Sequence, residues 1–163
     1  MIQQQWTSAA GMVSPMQTLR PLVTGTDFSE CAEQALEMAI QLAVAARTGI
    51  TLVHVCELGV NDIDEQRFSR CSETLAAVVA KHRNRGVEIT GVLRSGRPWE
   101  KLDNLAAEVG ASLIVIGRCG AGGASAPLGS VAEHLVRSAS RPVLTVTSDV
   151  SRFEGEADDS NQP

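Results

Sequence analysis

Five short apolar runs, separated by four stretches with helical spacing, constrain the fold of this 163-residue chain more than any other feature. The runs are rich in β-branched residues, as strands are, and the stretches between them place apolar residues three and four positions apart, as amphipathic helices do. The order β-α-β-α-β-α-β-α-β with short connections is typical of parallel sheets. The sequence therefore predicts a single α/β domain, with a five-stranded, mainly parallel sheet and helices on both faces.

The composition and the ends of the chain define the limits of that domain. Aromatic residues make up only 3% of the chain, so Ala, Val, Leu and Ile must fill the core. We predict a domain over residues 19–148, with a flexible polar arm at 1–18 and a disordered acidic tail at 149–163. The N-terminus lacks a basic segment followed by an apolar stretch, and no apolar run approaches the length of a membrane span. We therefore expect a cytoplasmic protein that does not contact membranes.

The formal charge of −5 argues against a general electrostatic attraction to DNA or RNA, so we expect no nucleic-acid partner. The four cysteines are far apart in the sequence and form no C-x-x-C or Cys/His ligand spacing. We interpret them as reduced, small apolar residues, and leave open whether Cys119, in a glycine-rich loop, is exposed and reactive. No metal cluster is apparent. His54 is expected to be packed within a strand, whereas His82 and His134 are expected at the surface or its boundary.

Two turns are candidates for a ligand site. In parallel α/β sheets, ligands bind outside the carboxyl ends of the strands, where the strand order reverses. The turn at residues 25–29 and the glycine-rich loop at residues 117–130 both follow an apolar strand and open a helix. We expect the binding site to lie between them.

The loop from Gly117 to Ser130 has the features of a phosphate site. Its glycines allow the backbone to approach an anion closely, and the helix that begins near Ser130 offers unpaired N–H groups and a favourable dipole. No lysine stands beside the final glycine, so the loop is not a Walker motif. A flexible turn that binds nothing, with Ser130 acting only as a helix cap, would explain the same residues.

The chain resembles the universal stress protein family, whose ATP-binding members carry G-x2-G-x9-G-[S/T]. Gly117 and Gly120 match the first half of that motif and Gly129-Ser130 the second, although the spacer here holds eight residues instead of nine. The opening segment at residues 25–36, a G-x-P element at residues 96–98 and the closing strand at residues 142–146 also resemble the family. The similarity covers about residues 20–147, and it implies a Rossmann-like fold of the adenine nucleotide alpha hydrolase type.

The resemblance implies specific roles for the site residues. Asp27 would lie near the ribose and adenosine, with Gly25 and Thr26 forming the adjoining wall, and Val55 would offer backbone groups to the adenine. The phosphates of ATP, with an accompanying Mg²⁺, would be held by Gly117, Gly120, Gly129, Ser130 and Val131. The family also forms homodimers, here through the edge of the last strand, from Val143 to Thr147. From its own sequence context, Asp27 could equally form a capping box with Glu30, and Ser29 could cap the first helix.

Three functions remain open from the sequence. The first is a nucleotide-binding regulatory protein of the stress response, with at most slow hydrolysis because no catalytic base is evident. The second is a universal stress protein that acts through protein contacts alone, which the shortened spacer favours. The third is an ATP-dependent ligase-like enzyme, which ranks last because residues 23–29 contain too little glycine for a pyrophosphate loop.

Overall fold

A computed structural model describes residues 20–57, 65–119 and 128–147 of the protein. The predicted arm and acidic tail lie outside the described residues, and so does Gly120 with most of the glycine-rich loop. In the described part, no helix is long and apolar enough to cross a membrane.

The described elements follow the predicted order. The strands are β1 (Leu22–Thr26), β2 (Ile50–Cys56), β3 (Ile89–Ser95), β4 (Leu113–Gly117) and β5 (Val143–Val146). The helices are α1 (Glu30–Ala46), α2 (Glu65–Lys81), α3 (Pro98–Glu108) and α4 (Ser130–Ser138).

All strand pairs are parallel, and the sheet order is β3-β2-β1-β4-β5. Helices α1 and α2 cover one face around a core that includes Leu36, Ile40 and Leu75. The opposite face packs against α3 and α4 around Leu105 and Leu135. The predicted doubly covered parallel sheet is therefore confirmed, and β3 is an edge strand.

The chain order reverses between β1 and β4. From β1 the chain first builds outward through β2 to β3, and then crosses to β4 and β5 on the other side. The helices that follow β1 and β4 therefore lie on opposite faces of the sheet, and a crevice opens at the strands' carboxyl ends. The turn after β1 and the described ends of the glycine-rich loop lie at this crevice.

Local rules account for most helix ends, with one exception. Pro98 occupies the first turn of α3, where its missing N–H costs nothing, and Ser29 caps α1 by accepting a hydrogen bond from the Ala32 N–H at 3.3 Å. The exception is the C-terminus of α1, where the left-handed residue that ends the helix is Arg47 and not a glycine, with φ of 53°.

His82 was expected at the surface or its boundary, but it is only 2% exposed. It lies at the end of α2 between two carboxylates of α1, with Nε2 3.2 Å from Glu33 Oε1 and Nδ1 3.6 Å from Glu37 Oε1. Lys81 contacts Glu33, and Arg85 forms two parallel hydrogen bonds to Glu37 at 2.9 and 2.8 Å. This ion cluster fixes the C-terminal end of α2 to α1.

The cluster shifts the pKa values of its carboxylates. Burial alone would raise the pKa of Glu33, but the hydrogen bonds and charges of Lys81 and His82 outweigh it and hold that pKa below its usual value. The two hydrogen bonds from Arg85 are the main cause that lowers the pKa of Glu37, against a smaller opposing effect of burial. Both carboxylates therefore stabilise the folded chain only while they are ionised.

We expect Glu37→Gln to lower the free energy of unfolding by about 0.5–1 kcal/mol near neutral pH, because the ion pair is largely exposed and screened by solvent. A carboxylate whose folded pKa is depressed contributes its full stability above the unfolded value, about 4.5, and loses it as the pH falls through the folded value. The difference between the wild type and the variant should therefore shrink below that pH. Urea denaturation of both proteins at a series of acidic pH values measures this difference in the free energy of unfolding.

Glu133→Gln is the matched control, because it removes an exposed pair with Arg137 on α4, four residues away and remote from His82. Glu133→Gln should lower the free energy of unfolding by no more than about 0.5 kcal/mol. A Glu37→Gln variant whose deficit stayed constant down to strongly acid pH would contradict the assigned role of the carboxylate.

Candidate functional site

A cleft of about 670 Å³ opens at the carboxyl ends of β1, β2 and β4. That volume is within the range of small-molecule sites. Every predicted site residue that the structure describes lines it: Gly25, Thr26, Asp27, Val55, Gly117, Gly129, Ser130 and Val131. The ninth, Gly120, lies outside the described residues. Residues more than a hundred positions apart in the sequence, such as Gly25 and Val131, are thus brought to one cavity.

The end of β4, which lines the cleft, requires a residue without a side chain at Gly117. A Cβ at this position would lie 2.8 Å from the carbonyl oxygen of Cys31 and 2.9 Å from its carbon. Both are backbone atoms, so no side-chain rotation would relieve the contact. Gly117 is required first for the packing of β4 against the start of α1, and not only for the approach of an anion.

The N-terminus of α4 faces the cleft without a side-chain cap. Its N-cap is Gly129, which has extended backbone angles (φ −71°, ψ 158°) and no side chain to accept a hydrogen bond. Ser130 is the first helical residue, so the interpretation of Ser130 as an N-cap was wrong. Ser130, Val131 and Ala132 line the cleft, and their N–H groups are those that a helix leaves without an intrahelical partner. The positive end of the helix dipole is therefore open to a ligand.

Asp27 organises the turn after β1 rather than capping α1 itself. Its Oδ1 accepts hydrogen bonds from the Ser29 N–H at 3.0 Å and from the Ser29 hydroxyl at 2.5 Å. Ser29 in turn caps the helix, so a capping box between Asp27 and Glu30 is not formed. The exposed carboxylate remains at the cleft, where it can accept hydrogen bonds from ligand hydroxyl groups.

Val55 lies on a part of β2 that extends beyond its neighbour. The pairing of β1 with β2 ends at Thr26 and His54, so the backbone at Val55 continues past the end of β1 into the cleft wall. Val53, Leu102 and Ile116 add apolar surface beside it. Gly25 permits this wall to close, since a Cβ there would be 3.1 Å from both terminal carbons of Leu102. This end of the cleft suits a flat, apolar group with polar edges.

Several cleft residues were not predicted as part of the site. His54, Glu57, Arg67 and Arg118 line the cleft and give it two cations and an acidic group. The Nδ1 atom of His54 is 2.8 Å from the carbonyl oxygen of Thr26, and its ring stacks on Phe28 with centroids 4.3 Å apart. Arg118 lies within the glycine-rich loop that the sequence singled out, whereas no motif indicated His54, Glu57 or Arg67, whose positions depend on how α2 and β2 meet.

The cysteines form two pairs, which corrects the prediction of four unrelated reduced thiols. Cys31, in the first turn of α1, and Cys119, at the start of the glycine-rich loop, form a disulfide with Cα atoms 6.1 Å apart. They are 88 residues apart in the sequence, so spacing rules for short motifs could not reveal the pair. Cys119 is buried, and this answers the question of its exposure.

The second pair, Cys56 and Cys71, consists of free thiols. Burial, with a further contribution from the neighbouring Cys71 thiol, raises the pKa of Cys56 to about 11. Together with His54 these two cysteines form a group whose ligand atoms lie within 4.8 Å of one another. The spacing of these residues in the sequence did not indicate this group.

The fold and the cleft define the class of doubly wound α/β proteins that bind ligands where the strand order reverses. Within that class, the sequence model of the universal stress protein family matches residues 18–147. The chain belongs to the universal stress protein family, as its motifs predicted.

Individual relatives agree with this assignment. The chain is 28% identical to universal stress protein YxiE of Bacillus subtilis over 143 residues, which cover 77% of this chain and 97% of the relative. The structure of the universal stress protein from Archaeoglobus fulgidus in complex with dAMP is similar to this chain, with a TM-score of 0.65. The two sequences are 29% identical, and the match covers 78% of this chain and 98% of that one. The structure of a universal stress protein family member from Burkholderia pseudomallei has a TM-score of 0.62. Its sequence is also 29% identical, and the match covers 82% of this chain and 98% of that one.

We expect the Cys31–Cys119 disulfide to stabilise the domain by about 2–4 kcal/mol, because it closes a long loop in the unfolded chain. The double variant Cys31→Ala/Cys119→Ala should lose this amount in the absence of reductant, and a reductant should destabilise the wild type similarly. Denaturant unfolding with and without a phosphine reductant measures both effects.

Cys71→Ser provides the control, since Cys71 takes no part in the disulfide. This variant should keep the full reductant dependence of the wild type. If the unfolding midpoint of the wild-type protein is the same with and without reductant, the disulfide does not stabilise the domain.

Proposed function

We propose that this universal stress protein binds an adenine nucleotide in the cleft between β1 and β4. The observation that carries the proposal is the uncapped N-terminus of α4, which faces a cavity of about 670 Å³ at the point where the strand order reverses. A helix end of this kind binds phosphate through its N–H groups and its dipole. The first turn of α1, at the other side of the cleft, is already capped by Ser29 and is not available in the same way.

The lining residues divide the cleft into regions that fit the parts of a nucleotide. Gly117, Gly129, Ser130 and Val131 would hold the phosphates, together with Gly120 by its place in the sequence motif. Thr26 and the Asp27 carboxylate, beside Gly25, would accept the ribose hydroxyls, and the backbone at Val55 would meet the adenine. Arg67 and Arg118 supply positive charge to the same cavity.

The relative from Archaeoglobus fulgidus supports the ligand class, since its structure is a complex with dAMP at 29% identity to this chain. The finer proposal is ATP, with Mg²⁺ bound to its phosphates. The protein would then be a cytoplasmic regulator of the stress response, hydrolysing the nucleotide slowly at most.

A homodimer through β5 is the second part of the proposal. This strand pairs with β4 on one side only and forms an edge of the sheet. The carbonyl groups of Pro142 and Val146 accept hydrogen bonds from β4, so the alternation of a parallel strand directs the backbone groups of Val143 and Thr145 to the open edge. An edge of this kind is suited to pairing with a second copy of the chain.

We expect Gly129→Val to abolish nucleotide binding. The backbone angles at Gly129 are allowed for valine, so the helix should still form, but the new side chain would occupy the space in front of its N–H groups. Affinity for AMP, ADP and ATP, measured by calorimetry with and without Mg²⁺, should fall by more than about a hundredfold, or ~2.7 kcal/mol.

Gly49→Val is the matched control, because it makes the same change away from the cleft, where the nearest atom to a new Cβ is the Glu88 carbonyl oxygen at 3.4 Å. It should leave the affinity unchanged. Undiminished binding by Gly129→Val would refute the site, and a wild-type protein indifferent to all three nucleotides would refute the function and leave protein contacts as the alternative.

We expect Thr145→Pro to weaken the dimer, because proline removes an N–H from the open edge of β5 without removing a hydrogen bond to β4. Thr145→Val keeps the N–H and the β-branched shape, and should dimerise like the wild type. Sedimentation velocity over a concentration series distinguishes them, and equal dimer fractions for the two variants would exclude pairing through this edge.

A further inference from the structure

His54, Cys56 and Cys71 bring three metal-binding side chains together on the α1/α2 face of the sheet. His54 and Cys56 are two residues apart on β2, so they point to the same face, and Cys71 approaches them from the second turn of α2. One nitrogen and two sulfur atoms lie within 4.8 Å of one another. The packing of α2 against β2 brings Cys71 next to His54 and Cys56, although it is 15 residues beyond Cys56 in the sequence.

The hydrogen bond that His54 makes through Nδ1 leaves Nε2 as the ring atom for coordination. Its Nδ1 contacts the Thr26 carbonyl oxygen at 2.8 Å, and a carbonyl can only accept, so Nδ1 carries the proton and Nε2 keeps its lone pair. Phe28 stacks against the ring and restrains its plane. A backbone carbonyl that fixes the tautomer in this way is the usual outer partner of a metal-binding histidine.

We propose that His54, Cys56 and Cys71 bind a thiophilic divalent transition-metal ion, Zn²⁺ in the first place, through Nε2 and the two Sγ atoms. Ligand atoms around one tetrahedral zinc lie roughly 3.5 Å apart, so small side-chain rotations close the set from its present spacing. Two thiols and an imidazole favour zinc over magnesium or calcium, which prefer oxygen ligands. The two thiol protons leave to solvent on binding, and water fills the fourth position.

The ion would fasten the part of α2 that the rest of the fold leaves loosely held. Only Leu75 is buried within this 17-residue helix, and every residue from 65 to 70 is exposed. The ion cluster around His82 anchors the opposite end. A metal at Cys71 would therefore join the N-terminal half of α2 to the carboxyl end of β2, beside the cleft that His54 also lines.

Titration of the reduced full-length protein with Co²⁺ tests the site without any nucleotide. We expect one equivalent to bind and to give a thiolate-to-cobalt charge-transfer band with the intense visible bands of tetrahedral Co²⁺. Added Zn²⁺ should displace the cobalt and bleach both features. Hydrogen exchange of the N-terminal half of α2 should slow on Zn²⁺ binding, whereas exchange in α4 should not change.

Cys71→Ser, at a half-exposed helix position, is the variant least able to disturb folding, and it should lower Zn²⁺ affinity by more than about a hundredfold, beyond the loss of an outer partner alone. His54→Gln should also lower Zn²⁺ affinity by more than about a hundredfold. His134→Gln, at an exposed position of α4, is the matched control that should bind Zn²⁺ like the wild type.

Three results would overturn the proposal: no charge-transfer band in the fully reduced wild type, an undiminished band in Cys71→Ser, or a Cys56–Cys71 disulfide that survives a phosphine reductant. Because the readout is the metal spectrum, failure of this site is distinct from failure of nucleotide binding.

Discussion

The architecture of the cleft depends on one contact, between the backbone of Gly117 and the backbone of Cys31. Any side chain at Gly117 would collide with a carbonyl group, so only glycine lets the end of β4 lie directly against the start of α1. The loop that follows is then fixed at both ends. The Arg118 N–H donates to the Val146 carbonyl at 2.7 Å, and the Gly129 N–H donates to the Arg118 carbonyl at 2.8 Å. The start of α4 is thereby held beside the end of β4, with its N–H groups toward the cavity.

The sequence was sufficient for the fold and for most of the cleft because both depend on local patterns. A continuous apolar run such as β4 is typical of a strand buried on both faces. The turns with glycine and small polar residues lay where parallel strands end, and the topology of such sheets brings those ends together. Eight predicted residues consequently line one cavity, although neither Asp27 nor Ser130 is an N-cap, since Ser29 caps α1 and Gly129 is the N-cap residue of α4.

The features that the sequence did not predict depend on contacts between distant segments. His82 resembles a surface residue near a helix end, yet its partners are carboxylates on α1, 49 residues earlier in the case of Glu33. The same is true of Cys31 and Cys119, whose separation of 88 residues hides the disulfide from any spacing rule. Side-chain pairing across a fold is decided by helix packing angles and strand register, and a single sequence shows neither directly.

Thr26, at the end of β1, contacts both the cleft and His54 of the cysteine–histidine group. Its side-chain oxygen accepts the Phe28 N–H at 3.0 Å, and its carbonyl accepts the Nδ1–H of His54 at 2.8 Å. The residue also lines the cleft, next to Asp27. Thr26 therefore belongs both to the lining of the cleft and to the surroundings of the cysteine–histidine group. A ligand that moved the Thr26 backbone would alter the hydrogen bond that fixes the His54 ring.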